Sequence, residues 1–167
     1  GRALVQAKRA RQKVALFFLD LDRYKLINET VGHLVGDQLL REVSERLQGI
    51  VNDRDSVSRL GGDEFAIFIS GIAEVSEVTS YVRRILGALN EPLAWNGQEI
   101  HVSASIGVSI FPDDGADGET LAKNADSAMY EAMADGGNRA RYFHQQMNER
   151  SYERVQMEGK LHRALDR

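Results

Sequence analysis

Six apolar residues in a row, Val14-Ala15-Leu16-Phe17-Phe18-Leu19, stop abruptly at Asp20. A short unbroken run of this kind, rich in aromatic side chains, is the pattern of a central strand buried on both faces. Such a strand needs neighbours along both edges and a layer above and below, so the chain has to build a sheet around it. The run is far short of the ~20 residues that cross a bilayer. No leader pattern precedes it.

With 167 residues the chain is close to one domain on a prior of roughly 150 residues per domain. A chain this long with 43% hydrophobic residues buries roughly 70% of its unfolded surface and needs no covalent staples. The absence of Cys removes thiolate nucleophiles, thiolate zinc sites and iron–sulfur clusters, and fits a reducing compartment. The expected location is cytoplasmic, which is compatible with membrane anchoring elsewhere in a longer protein. Lys and Arg total 21 against 25 Asp and Glu, a net charge of −4, which argues against a nucleic-acid footprint or membrane contact by this segment. A phosphate ligand therefore has to be held locally.

Residues 1–12 read as an amphipathic lead-in helix lying on the domain. After Asp20 a helical stretch runs from Arg23 to Thr30, followed by Gly32-His33 and Gly36-Asp37, where Asp37 is placed to N-cap the next helix. Ser56–Leu60 and Phe65–Ile69 are strand-like runs separated by Gly61-Gly62-Asp63-Glu64, a hairpin whose glycines accept positive φ. A helix from Glu74 to Leu89 closes before Pro92. Leu93–Trp95 and Glu99–Val102 pair around Asn96-Gly97, with Ser103–Phe111 continuing as strand. Thr120–Asp135 has helical periodicity and ends at Gly136-Gly137, Arg141–Phe143 suits an edge strand, and a charged helix follows from His144. The order mixes a hairpin with crossover helices, which predicts an α+β fold with a central mixed or antiparallel sheet covered by helices.

Asp20 at the end of a buried strand and Asp63-Glu64 in a tight turn meet at one sheet rim if the strand lies beside the hairpin. Hard oxygen ligands so grouped suit Mg²⁺, which takes one or two carboxylates plus substrate phosphates. Simple solvation of acids at strand ends is the competing reading. His33, His101, His144 and His162 lack metal-ligand spacing, and no P-loop is present.

The segment Asp20-Leu21-Asp22-Arg23-Tyr24-Lys25-Leu26-Ile27-Asn28, then Gly32-His33, Gly36-Asp37, Asp55, Arg59 and Gly61-Gly62-Asp63-Glu64-Phe65 resemble, in order and spacing, the GGDEF family of diguanylate cyclases. Ser105-Ile106-Gly107 and Ala125-Asp126-Ser127-Ala128-Met129-Tyr130 add to the match, which runs from about Gln12 to Phe143. The resemblance implies a fold like the palm of nucleotide cyclases and polymerases, and a reaction joining two GTP into cyclic di-GMP. It implies Mg²⁺, with Mn²⁺ as an alternative, held by Asp20, Asp63 and the Leu21 carbonyl, with Glu64 shaping the acidic turn and Asp63 a candidate base. It implies that Asn28 and Asp37 read guanine. The N–H groups of Arg23 and Tyr24 with the Lys25 ammonium would cradle phosphates, and Gly61 and Gly62 would let the α-phosphate approach the backbone. One domain binds one GTP in this scheme, so catalysis needs a second copy facing it across a two-fold axis.

Three positions depart from the family pattern. Met133 and Gly137 stand where it places a Lys and an Arg on the triphosphate. Losing both contacts costs roughly 3–6 kcal/mol, or about two to four decades of affinity, unless Arg139 substitutes. The inhibitory Arg-x-x-Asp frame reads Asn52-Asp53-Arg54-Asp55, without its Arg. The alternative to a cyclase is a degenerate module that binds GTP and regulates an attached EAL phosphodiesterase. The expected organisation is a lead-in helix over 1–12, a GGDEF domain over 13–143, and a helical connector over 144–167 leading to a missing domain of EAL type.

Overall fold

The computed structural model describes residues 2–144. Helix α1 (Arg2–Ala10) precedes β1 (Lys13–Leu21), α2 (Tyr24–Val31) and α3 (His33–Gln48). The hairpin β2 (Ser56–Gly61) and β3 (Glu64–Ile72) leads into α4 (Val75–Asn90), a small hairpin β4 (Leu93–Trp95) and β5 (Gln98–Ile100), then β6 (Ala104–Phe111), α5 (Gly118–Ala134) and β7 (Arg139–Tyr142). Five strands form one sheet in the order β2-β3-β1-β6-β7, antiparallel except for the β6–β7 pair. This is the mixed sheet of an α+β fold, with β1 at its centre. The helix expected beyond His144 lies outside the described residues.

Phe17, Leu19 and Leu21 of β1 and Phe65, Ile67 and Ile69 of β3 share one buried cluster with Leu39, Val43 and Leu47 of α3 and Val78, Ile85 and Leu89 of α4. Each such side chain contributes about 1.5–3 kcal/mol on burial, so this layer holds β1 and the hairpin side by side and fixes their rim. A second cluster joins Leu4 and Ala7 of α1 to Val14, Phe111 and Leu121.

Three readings are corrected. The aromatic strand β1 is not sealed on both faces, since Leu16 and Phe18 are only half-buried; the strand buried at every position is β6. Asp37 caps nothing: α3 starts at His33, one turn earlier, with Gly32 (φ 105) as the one-residue joint between α2 and α3. The strand from 103 does not continue the small hairpin, because β4 and β5 form a separate two-stranded sheet.

Candidate active site

The register of the central strands sets Asp20 opposite Glu64 on one side and Ser105 on the other. Gly62 takes φ +52 in the β2–β3 turn, and the Arg59 Nε donates to its carbonyl at 2.9 Å. The turn thereby folds Asp63 back over the end of β1, where the Leu21 N–H donates to the Asp63 carbonyl at 3.1 Å. The Asp20 and Asp63 side chains come together at the head of one groove. Burial first, then the neighbouring Asp63 carboxyl and the charges of Asp63, Glu64 and Asp22 push the Asp20 pKa up to about 7. The negative charge gathered around Asp20 disfavours its ionised form until a cation offsets it.

A backbone oxygen joins them. The Asp22 N–H donates to the Ser103 carbonyl at 2.9 Å, on the β6 side of β1. The Leu21–Asp22 peptide is trans, so the Leu21 carbonyl points the opposite way, toward the side of the strand that carries Asp63. Among the described residues no group of three or more acidic or imidazole side chains forms a ready-made metal cage. Two carboxylates and a carbonyl fit an ion completed by a ligand's phosphates, which is the way Mg²⁺ is usually held.

A groove of about 440 Å³ runs from this pair along Arg23, Tyr24 and Lys25 to Met133, Gly136 and Gly137. Arg23 adopts φ 57 and turns the chain from β1 into α2. The first amides of α2 and the exposed Lys25 ammonium therefore lie on the groove's wall. Met133 is 42% exposed and presents a thioether there. Arg139, the candidate substitute cation, donates Nε to the Gly137 carbonyl at 3.0 Å and lays its guanidinium beside Gly136 at the groove's edge.

The other end is built by α2 and α3. Asn28 Oδ1 is buried without a hydrogen-bond partner. It lies against Gly36, where a Cβ would sit 1.7 Å from it and 3.1 Å from the Tyr24 hydroxyl. Gly36 is thus the residue that lets the Asn28 amide fit between the helices. Asp37 follows it, exposed. An orphaned buried acceptor costs about 1–3 kcal/mol and calls for a donor from outside the chain.

The site residue that the sequence reading left without a role is Asp22. Its Oδ2 accepts from the Ser103 hydroxyl at 2.6 Å and the Asn138 N–H at 2.8 Å, and its Oδ1 from the Ser105 hydroxyl at 2.7 Å. The third acid in Asp20-Leu21-Asp22 was the available signal, but its partners come from distant positions. At the departed inhibitory frame, Asp55 accepts from the N–H groups of Asn52 and Ser70, and Asn52 Nδ2 donates to the Tyr81 hydroxyl. The surviving carboxylate there is engaged by its own turn and by β3.

Residues 1–139 match the family model described as diguanylate cyclase, GGDEF domain. Among curated relatives, the cyclic di-GMP phosphodiesterase NbdA of Pseudomonas aeruginosa is 40% identical over 152 residues, 91% of this chain and 19% of that protein. The bifunctional diguanylate cyclase/cyclic di-GMP phosphodiesterase MucR of the same organism is 37% identical over 166 residues, 99% of this chain and 24% of its own length. The chain thus spans about a fifth to a quarter of these relatives. Among solved structures, the GGDEF domain of TpbB from P. aeruginosa superposes with TM-score 0.86 at 31% identity, covering 89% of this chain and 87% of that one. An EAL/GGDEF domain protein from M. capsulatus gives TM-score 0.75 at 41% identity, covering 86% and 92%. With the motifs, the sheet order and these matches in agreement, the chain belongs to the GGDEF domain family.

Proposed function

We propose that this domain condenses two GTP into cyclic di-GMP, each ribose 3′-hydroxyl attacking the α-phosphorus of the other nucleotide as pyrophosphate leaves. The observation that carries the reading is the Asp20–Asp63 pair, pressed together at the head of a groove that leads to the start of α2 and Lys25. Mg²⁺ or Mn²⁺, held by Asp20, Asp63 and the Leu21 carbonyl, would supply the charge that neutralises the phosphates. The chain's own groups do the rest. The amides of Arg23 and Tyr24 and the Lys25 ammonium hold the phosphates by charge-assisted bonds. Gly61 and Gly62 give the α-phosphate a side-chain-free approach. Asp63 takes the proton of the attacking hydroxyl, and the Glu64 charge keeps the turn acidic. Asn28 and Asp37 bind the guanine edge, where a carboxylate accepts from N1–H and the 2-amino group; adenine offers neither, and its binding leaves the acceptor unpaired.

Each domain holds one GTP, so the reaction proceeds between two copies related by a two-fold axis. In a longer protein the segment beyond the domain (13–143) would lead to an EAL domain, a reading supported by the similarity to the EAL/GGDEF domain protein from M. capsulatus. Among the described residues no helix is long and apolar enough to cross a membrane.

A second reading has its own support. Met133 and Gly137 line the phosphate groove without offering a cation, and NbdA, 40% identical, is named for phosphodiesterase activity. In this reading the domain binds GTP and regulates its neighbour. Incubating the purified chain with GTP and Mg²⁺ at concentrations that favour the dimer, with mass-spectrometric detection of product, separates the two: cyclic di-GMP means a cyclase, and tight GTP binding without product means the regulatory module.

A further inference from the structure

We propose that Asp22 is a positioning residue for the cation–phosphate site, acting as a latch that holds both the Leu21 carbonyl and the Gly137–Asn138 edge of the groove. The inference rests on the nucleotide reading above and extends it to a residue to which that reading gives no metal or nucleotide contact. Asp22 sits at the exit of β1, in the peptide that carries the Leu21 carbonyl. Its N–H is fixed to Ser103, and its carboxylate is fixed by the hydroxyls of Ser103, just before β6, and Ser105, within it. The peptide plane therefore has anchors at its nitrogen and through the side chain, and the carbonyl on its other side cannot rotate away from Asp63.

The same carboxylate reaches across to the turn after α5. It accepts the Asn138 N–H at 2.8 Å, and the place where a Cβ on Gly137 would stand lies 2.8 to 2.9 Å from Asp22 Oδ1, Cγ and Oδ2. The turn is drawn down onto Asp22, and the groove wall at Gly137 is bare backbone. Asp22, with Arg23 and Gly136, lines both this groove and the adjoining cleft of about 450 Å³ that reaches Asn138, and is part of the partition between them. One side chain thus couples the cation donor on β1 to the floor under the phosphates.

Charge alone and the latch predict opposite signs for GTP without its metal. Asp22 is a negative charge that repels a polyanion but attracts the cation beside it, so if charge were its whole contribution its removal should tighten metal-free GTP binding. If it is a latch, Asp22→Ala frees the Leu21 carbonyl and the 137–138 edge and weakens binding. Asp22→Asn keeps the length of the side chain, one acceptor oxygen, and an amide that a serine hydroxyl can turn to accept.

The test is calorimetry of the full chain with GTP, with and without Mg²⁺, and with guanosine. Asp22→Ala is expected to weaken Mg²⁺-dependent GTP binding about tenfold, to leave guanosine affinity within about twofold, and to be rescued by Asp22→Asn. Because Asp22→Ala also removes a structural bond, Ser103→Ala combined with Ser105→Ala provides a second arm. Neither serine is placed in the cation or phosphate contacts, yet their loss is expected to weaken Mg²⁺-dependent binding in the same direction. Unchanged or tighter Mg²⁺·GTP binding in both Asp22→Ala and the serine pair overturns the latch. Asp22→Asn as weak as Asp22→Ala makes Asp22 a direct cation ligand and overturns its positioning role. Equal losses of guanosine and GTP overturn it too, by reducing the effect to general damage. A parent chain whose GTP affinity ignores Mg²⁺ overturns the cation site itself and the role given to Asp22 with it.

Discussion

Restoring a cation at Met133 and restoring one at Gly137 should have opposite outcomes, although the family pattern treats the two positions alike. Met133 is 42% exposed and lines the same groove as Lys25. A Lys there meets no steric obstacle and adds one charge-assisted contact. Such contacts are worth about 1.5–3 kcal/mol when sheltered, and partial exposure reduces this to about 1–2 kcal/mol, or roughly 5- to 30-fold in affinity. Gly137 has φ +75, a conformation that costs a side chain about 1–3 kcal/mol. Its Cβ would also press on the Asp22 carboxylate at 2.8 Å. A guanidinium placed there would meet Asp22 before it met a phosphate. Gly137→Arg is therefore expected to lower stability by about 2–4 kcal/mol without tightening GTP. Thermal melts and calorimetry with Mg²⁺·GTP check both variants. If Gly137→Arg is as stable as the parent and binds GTP more tightly while Met133→Lys does not, the groove as described is wrong.

Asp63→Asn is expected to cut cyclic di-GMP synthesis by at least about a hundredfold, and in metal-free protein to raise the melting temperature, because it relieves the repulsion on Asp20; a lowered melting temperature would contradict that. Since the folded-state pKa of Asp20 rises from its ordinary 3.8 to about 7, the folded protein holds the extra proton between those values. Metal-free stability from this group is thus present at low pH and lost as pH rises through about 7, and added Mg²⁺ should raise the melting temperature more at pH 8 than at pH 5. At the base end, Asp37→Ala should level the affinities for GTP and ATP. Gly36→Ala, whose methyl group would overlap Asn28 Oδ1, should cost about 1–3 kcal/mol in stability and weaken GTP binding, both read by the same two assays.

The hairpin and its acidic turn were legible because glycines between two strand-like runs leave a chain little choice, and the order of motifs then placed Asp20 beside Asp63. The burial of the central strands was not. The aromatic run of β1 looks the more hydrophobic, yet β6, with Ser105, Gly107 and Ser109, is the one buried throughout. Burial there is decided by α5 lying so close that a Cβ on Gly107 would stand 1.9 Å from the Ala125 carbonyl. Asp37 resembled a helix cap locally, but the backbone of Gly32 starts the helix a turn earlier. The bonds of Asp22 are not legible in the sequence for a different reason: its partners come from positions 103, 105 and 138, and their meeting is a product of the sheet order.

The most direct test of the account is the location of the cation. Crystals of this chain grown with a slowly reacting GTP analogue and Mn²⁺ allow the ion to be found by its anomalous scattering. The account predicts a peak bonded to Asp20, Asp63 and the Leu21 carbonyl, with phosphates along the start of α2 and guanine against Asn28 and Asp37. Bound nucleotide with no ion at that pair, or with its base away from Asn28, would contradict it.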